Sequence, residues 1–285
     1  MSDTMTNEQA SSDYAPRTID LGDFKITAIH DGHFDLPASF IAQPEGTPAQ
    51  EADATFHLDV NAFLVQSATQ NILIDTGAGG KMGDNVNKLL PNLLKVGLTP
   101  ADIDAVLCTH IHPDHTNGLV TPDNAPIFPR AQIFVHQLEM DYWLSDEQLA
   151  LAPADFRYVY DWARESFVPY ADRTEPFTSG VIVPGIEAFP LFGHTPGHSG
   201  FHIDGGGKNQ LIIWGDAVHH IDIQSRNPDL SVQADVSQDD ARASRYALFD
   251  RVAADDVLVT GMHVTFPGFG RMRRDGAGYE YSARG

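Results

Sequence analysis

Apolar and polar positions alternate with a period of two over Phe24-Lys25-Ile26-Thr27-Ala28-Ile29, which predicts a half-buried strand. Val60–Val65 and Asn71–Asp75 predict two more strands, the second running out at Thr76-Gly77. From Val86 to Val96 the leucines 89, 90, 93 and 94 fall at helical spacing, with Pro91 among them. A kink or a late helix start is expected there, and Gly97 supplies the stop. Thr99-Pro100 has the form of a cap followed by proline at the first helical position. Ile103–Cys108 predicts a short buried strand that delivers the chain to His110. Gln132–Val135 predicts a strand and His136–Leu144 the start of a helix. An aromatic, helical region follows, with Tyr142, Trp143, Phe156, Tyr158, Tyr160, Trp162 and Phe167. Strands are then expected at Val181–Val183, Glu187–Phe192, Gly200–Asp204 and Leu211–Trp214, the last two joined by a hairpin at Gly205-Gly206-Gly207. Gln238–Ala253 predicts a helix with Tyr246, Leu248, Phe249 and Val252 available for burial, and Asp256–Thr260 a final strand. Strands interleaved with helices point to a layered α/β domain. Residues 1–17 are polar without an apolar period and are expected to form a flexible tail, with one domain over 18–285. Leu36–Ala54 is rich in Pro and Ala without a clear period, long for a simple connection, and a candidate oligomer arm.

Composition narrows the function. The formal net charge of -21 disfavours nucleic acid as a partner, because counterion release rewards a basic face. It favours neutral or cationic small molecules, although plain solubility explains it as well. Cys108 is the one cysteine, so no intrachain disulfide forms, and a buried structural thiol is expected. The N-terminal residues lack the basic and apolar regions of a signal peptide, and no stretch has the length of a membrane span. A cytoplasmic protein without a membrane partner is expected.

The chemistry concentrates in Thr109-His110-Ile111-His112-Pro113-Asp114-His115. Four candidate ligands fall within six residues, just after an expected buried strand. His110 and His112, two apart at an extended strand end, point to one side and can share a metal. Pro113 forces a turn that swings Asp114 and His115 elsewhere. Imidazoles and carboxylates suit zinc and similar divalent ions. Gly193-His194-Thr195-Pro196-Gly197-His198, Trp214-Gly215-Asp216 and Gly261-Met262-His263 each also follow an expected strand. Each alone is weak. Together they put the candidate ligands at strand exits, where loops converge at one edge of a sheet. For His30, His33, His57, His136 and His202 a surface or locally satisfied role is expected.

This series, His-x-His-x-Asp-His, then Gly-His-Thr-Pro-Gly-His, then Gly-Asp, then a late His, resembles the motifs of the metallo-β-lactamase superfamily over nearly the whole chain. The resemblance implies a four-layer αββα sandwich with metals at one edge of the paired sheets. It implies one ion on His110, His112 and His194, a second on Asp114, His115 and His263, and Asp216 bridging both. Zinc comes first, with manganese, cobalt or iron as alternatives. Asp75 in Leu73-Ile74-Asp75-Thr76-Gly77 matches a further signature and is expected to support a ligand, as is His198. The implied activity is hydrolysis by a metal-bridging hydroxide, with Asp114 also moving a proton. A bridging carboxylate at Asp216 favours lactonases, glyoxalase II enzymes and organophosphate hydrolases over true β-lactamases. The ending Phe266-Pro267-Gly268-Phe269-Gly270, with Arg271, Arg273 and Arg274, resembles the methyl parathion hydrolase subgroup, which includes N-acyl homoserine lactonases. A small lactone, aryl ester or phosphotriester is therefore the expected substrate, and a homodimer the expected assembly. Lactonases often carry Tyr three residues after the bridging Asp. Here His219 stands at that position, as a candidate hydrogen-bond donor or proton shuttle. Some of the aromatic segment, with Phe266 and Phe269, is expected to line an apolar pocket and the rest to pack in the core. The alternatives are a β-lactamase, or an iron-dependent oxidoreductase of the same fold.

Overall fold

The computed structural model describes residues 14–42 and 54–284. Of the expected tail, residues 1–13 lie outside the described residues, as do residues 43–53 of the expected arm. Within the same expected tail, Tyr14 stacks on His30 and Arg17 opens the first strand.

In chain order the strands of the first sheet are β1 (Arg17–Leu21), β2 (Phe24–Pro37), β4 (Thr55–Gln66), β5 (Asn71–Ile74), β6 (Ala105–Leu107), β7 (Gln132–His136) and β8 (Thr174–Phe177), with β3 (Ile41–Ala42) set aside. Their spatial order is β1-β2-β4-β5-β6-β7-β8, antiparallel through β5 and parallel beyond it. The second sheet holds β9 (Gly180–Val183), β10 (Ile186–Pro190), β11 (Ser199–Asp204), β12 (Gln210–Ile213), β14 (Leu258–Thr260), β15 (Gly270–Asp275) and β16 (Gly278–Ala283). Its order is β16-β15-β14-β12-β11-β10-β9. The short β13 (Ser231–Val232) pairs with β3.

Helices cover both outer faces. They are α1 (Leu89–Lys95), α2 (Pro113–Thr116), α3 (Gln137–Trp143), α4 (Asp146–Leu151), α5 (Arg157–Phe167), α6 (Ile221–Gln224) and α7 (Gln238–Asp255). The late start of α1, at Leu89, puts Pro91 in the first turn, where its missing N–H costs nothing.

Side-chain alternation divides the core into layers. Ile26, Phe63, Val65, Ile72 and Leu107 of the first sheet meet Phe201, Ile203, Leu211 and Ile213 of the second. Their in-strand neighbours Ala62, Leu64, Leu73 and Val106 face outward onto Leu93, Trp143, Val159 and Tyr160. On the far side Ile212, Trp214 and Val259 pack against Leu248, Phe249 and Val252 of α7. The result is the αββα sandwich. The basic C-terminus is no loose end: it forms the β15–β16 hairpin, with Met272 and Tyr279 buried and the arginines outward. Cys108 is fully buried, and burial pushes its thiol well up.

Candidate metal centre

Parallel strands release their loops at the same edge. β5 pairs in parallel with β6, and β12 with β14. β10 runs the same way as β12, because both are antiparallel to β11. Asp75, His110, His194, Asp216 and His263 therefore leave the two sheets together, each within four residues of its strand's end.

Hydrogen bonds fix which imidazole nitrogen faces inward. His115 donates through Nδ1 to Asp75 Oδ2 at 2.8 Å, and His194 through Nδ1 to Asp235 Oδ1 at 2.8 Å. His263 Nδ1 donates to the carbonyl of Asp59 at 2.7 Å. Thr109 Oγ1 donates to Asp75, so it accepts from His110 Nδ1 at 3.0 Å. In its neutral form each ring then turns an Nε2 lone pair toward the centre.

The lone pairs converge. His112 Nδ1 lies 3.0 Å from both His110 Nε2 and His194 Nε2. One hydrogen on His112 satisfies at most one of these neighbours, whereas one divalent ion satisfies all three nitrogens. Asp114, His115 and His263 form a second group of close donor atoms. Asp216 Oδ2 stands between them, 3.3 Å from His115 Nε2, 3.0 Å from His263 Nε2 and 3.4 Å from His194 Nε2. His115 Nε2 and Asp216 Oδ1 are buried without a hydrogen-bond partner among the described residues. Orphaned buried polar atoms are costly, and this donor set fits two divalent cations.

The electrostatics agree. Burial drives His110 and His112 well below the usual imidazole range, keeping both neutral and able to ligate. Burial also opposes charge on His115, but Asp216, Asp114 and Asp75 outweigh it and hold that ring well up. His263 is raised against the same opposition by Asp216 and Asp114. Against burial, the facing histidines hold Asp114 and Asp216 down as carboxylates. This is a site that draws in positive charge.

Supporting groups complete it. His198 donates through Nδ1 to the Leu191 carbonyl and accepts the Asp216 amide on Nε2 at 2.9 Å. Burial lowers it to about 3. Gly215, at φ +55, passes so close that a Cβ would sit 2.4 Å from His198 Nε2. Asp75 itself has φ 58, an uncommon conformation held by Thr109 and His115 on its carboxylate. His219 Nε2 lies 3.2 Å from Asp216 Oδ2, while its Nδ1 is buried without a partner among the described residues. Burial lowers His219 to about 4.

Three supporting residues were not singled out in the sequence. Asp235 orients His194. Glu139, fully buried, accepts from the amides of Ile111 and Gly197. Arg245, also fully buried, donates to the carbonyls of Ala217, Pro228 and Leu230 and so holds the loop carrying His219.

Above the donor cluster lies a cavity of about 310 Å³, walled by Phe34, Leu36, Phe40, Leu58, Met82 and Phe156, with Asp114, Asp216 and His219 at its floor. Of the aromatic segment, Phe156 and Tyr158 line it with their neighbour Val159. Trp143, Tyr160 and Phe167 are buried in the core. Phe269 packs between the sheets, and Phe266 stands against His30 rather than in the cavity wall.

Comparison with known proteins agrees with this geometry. Residues 56–263 match the family described as the metallo-beta-lactamase superfamily. The chain is 30% identical over 176 residues to metallo-beta-lactamase domain-containing protein 1 of Xenopus laevis, covering 60% of each chain. The chain thus spans less than two thirds of that relative's length. Among solved structures it is similar to the hydrolase AbOPH of the beta lactamase superfamily (TM-score 0.87, 26% identity, 95% of this chain and 98% of that one). It is equally similar to AidC, a dizinc quorum-quenching lactonase solved with the product N-hexanoyl-L-homoserine (TM-score 0.87, 25% identity, 96% and 99%). Motifs, layers and family match converge: the chain belongs to the metallo-beta-lactamase superfamily.

Proposed function

We propose that this protein is a dinuclear metal-dependent hydrolase of neutral lactones, carboxylic (aryl) esters or phosphotriesters. The observation that carries the reading is the convergence of imidazole lone pairs and two carboxylates at the floor of an apolar cavity. His110, His112 and His194 would hold one ion, Asp114, His115 and His263 the other, with Asp216 shared; zinc is the first choice. When bound, such ions acidify water into a nucleophile near neutral pH and polarise a carbonyl or phosphoryl oxygen. The AidC product complex supports a lactone among the candidate substrates.

The chain's own residues supply the rest. Asp114, with 17% of its side chain exposed, faces the cavity and is placed to take a proton at its carboxylate and return it to the leaving oxygen. His219 hydrogen-bonds Asp216 and stands beside the reacting groups. Phe34, Leu36, Phe40 and Phe156 receive an acyl or aryl group and exclude water. Lys and Arg are absent from the described lining, which suits a neutral substrate better than a free phosphate or carboxylate.

The test is a hydrolysis panel on zinc-loaded protein: an N-acyl homoserine lactone, an aryl ester, a phosphotriester and a cephalosporin, each with and without chelator. Chelator-sensitive turnover of any of the first three is expected. Turnover of the cephalosporin alone would overturn the reading of Asp216. Silence on all four, with iron retained on purification, would favour the oxidoreductase.

A further inference from the structure

β2 and β4 extend as a two-stranded ribbon that pairs Asp35 with His57, Phe34 with Leu58 and His33 with Asp59. Alternation sorts this ribbon into two faces. Phe34, Leu36 and Leu58 point into the catalytic cavity. His33, Asp35, His57 and Asp59 share the opposite face.

On that face the donor atoms are close. One ligand atom from each of His33, Asp35 and His57 lies within 4.8 Å of the others. The imidazoles of His33 and His57 have their centroids 4.3 Å apart. His57 Nε2 is 3.1 Å from Asp59 Oδ1, and its Nδ1 is 3.4 Å from Asp35 Oδ1.

Asp59 is buried and also accepts from His30 Nε2 at 2.8 Å and the Phe266 amide at 2.9 Å. When His57 Nε2–H donates to Asp59, Nδ1 is left as a bare lone pair aimed at a carboxylate oxygen. In that neutral form two acceptors face each other, and a cation on Nδ1, either a proton or a divalent ion, resolves them. A buried carboxylate that fixes the tautomer of a ligating imidazole is the same device that Asp75 and Asp235 provide at the central cluster.

We propose that His33, Asp35 and His57 form a third divalent-cation site, for zinc or a similar borderline ion, on the outside of the ribbon whose inside walls the catalytic cavity. Two imidazoles and one carboxylate suit such an ion, and solvent completes its coordination. An ion there ties β2 to β4 across the Asp35–His57 pair and stiffens the cavity wall. The proposal does not depend on the central cluster, whose ligands lie on other loops.

The experiment titrates zinc into protein already loaded with zinc and dialysed, and counts bound metal per chain for wild type, His57→Ala and Asp35→Asn. These side chains are 44% and 59% exposed, so both variants are expected to fold. Wild type should take up one zinc ion per chain more than His57→Ala. Asp35→Asn should weaken that uptake by about tenfold or more. Zinc should raise the melting temperature of wild type further than that of His57→Ala. Equal zinc counts and equal melting shifts in wild type and His57→Ala would overturn the proposal. Because the reading is a difference between variants, loss of the central ions from all three proteins would count against the dinuclear hydrolase and leave this site standing.

Discussion

Glu139 accepts a hydrogen bond from the backbone amide of Gly197 at 2.7 Å, across 58 residues of chain. Its other oxygen accepts from the amide of Ile111 at 2.8 Å and from the Trp143 indole at 3.0 Å. One fully buried carboxyl thus ties the loop of His110 and His112 to the loop of His194. Glu139→Ala orphans three buried donors at about 1–3 kcal/mol each. A loss of about 3–5 kcal/mol is expected, seen as a melting temperature lower by about 5–8 °C. Metal content should fall with it. Glu139→Gln, which keeps one oxygen, should lose less. An unchanged melting curve for Glu139→Ala would remove this clamp from the account.

Asp216 Oδ2 is within 3.4 Å of His115, His194, His219 and His263. With that carboxylate gone, two cations would face each other with nothing negative between them. Asp216→Ala is expected to lower bound metal from two ions toward one. Turnover should drop by about two orders of magnitude or more, the scale seen when a preorganised electrostatic group is removed. Metal analysis and rate on the same preparation decide it. Two ions and an undiminished rate would mean that Asp216 bridges nothing.

The ligand candidates were legible because of where they sit. Four fall within six residues after a buried strand, and the others stand just past the ends of short, largely apolar strands. The layers follow from the same strands: successive residues of β4 and β12 are buried alike but go to opposite faces, and so to different apolar cores. Glu139, Asp235 and Arg245 were not, because they act at long range and largely on backbone atoms. Nothing in the residues around Asp235 announces that His194, 41 positions earlier, donates to it. β15 was missed because its outward positions are arginines, so a strand paired on both sides reads in sequence as a basic tail. Which aromatics line the cavity was equally hidden. Tyr158 and Tyr160 are two apart on one helix, and only its rotation against the core sends one to the cavity and the other inward.

Asp235 gives a test that separates the two proposed ions. Its carboxylate orients His194, whereas His263 is oriented by the backbone carbonyl of Asp59. Of the two proposed ions, removing the side chain of Asp235 therefore reaches directly only the one on His110, His112 and His194, besides freeing the Val232 amide. Asp235→Ala should weaken that ion by about 10–100-fold, the usual effect of removing a carboxylate behind a ligating histidine. The second ion should hold. Competition with a chromogenic chelator reads both affinities. Equal weakening of the two ions would contradict the assignment of His194.

His219 is kept neutral at assay pH, since burial lowers it to about 4. It acts as a hydrogen-bond donor to Asp216 rather than as a charge. His219→Phe preserves the ring against Phe40 and removes the donor. Metal content should stay, KM should change little, and kcat should fall by about tenfold or more. His219→Tyr restores a donor and should recover part of the rate. If His219→Phe instead raises KM at constant kcat, His219 serves binding alone.

Asp31 makes a prediction about pH that lies away from the metal ligands. It is fully buried and accepts the amides of Ala78 and Leu89, each at 2.8 Å, organising the loop from β5 to α1. Burial raises its carboxyl to about 6 from 3.8, with those amides offsetting part of the rise. The folded protein therefore binds more protons at Asp31 than the unfolded chain between these values. The stability this contributes is fully present below pH 3.8 and is lost as pH rises through about 6. The swing is about 3 kcal/mol, because each pH unit between the two values is worth about 1.36 kcal/mol. Asp31→Asn has no charge to titrate. In urea unfolding of metal-free protein, the stability of wild type minus that of the variant should fall by about this amount from pH 4 to 7 and stay flat above. A difference that rises with pH would show that the four backbone amides around Asp31 stabilise its charge more than burial opposes it.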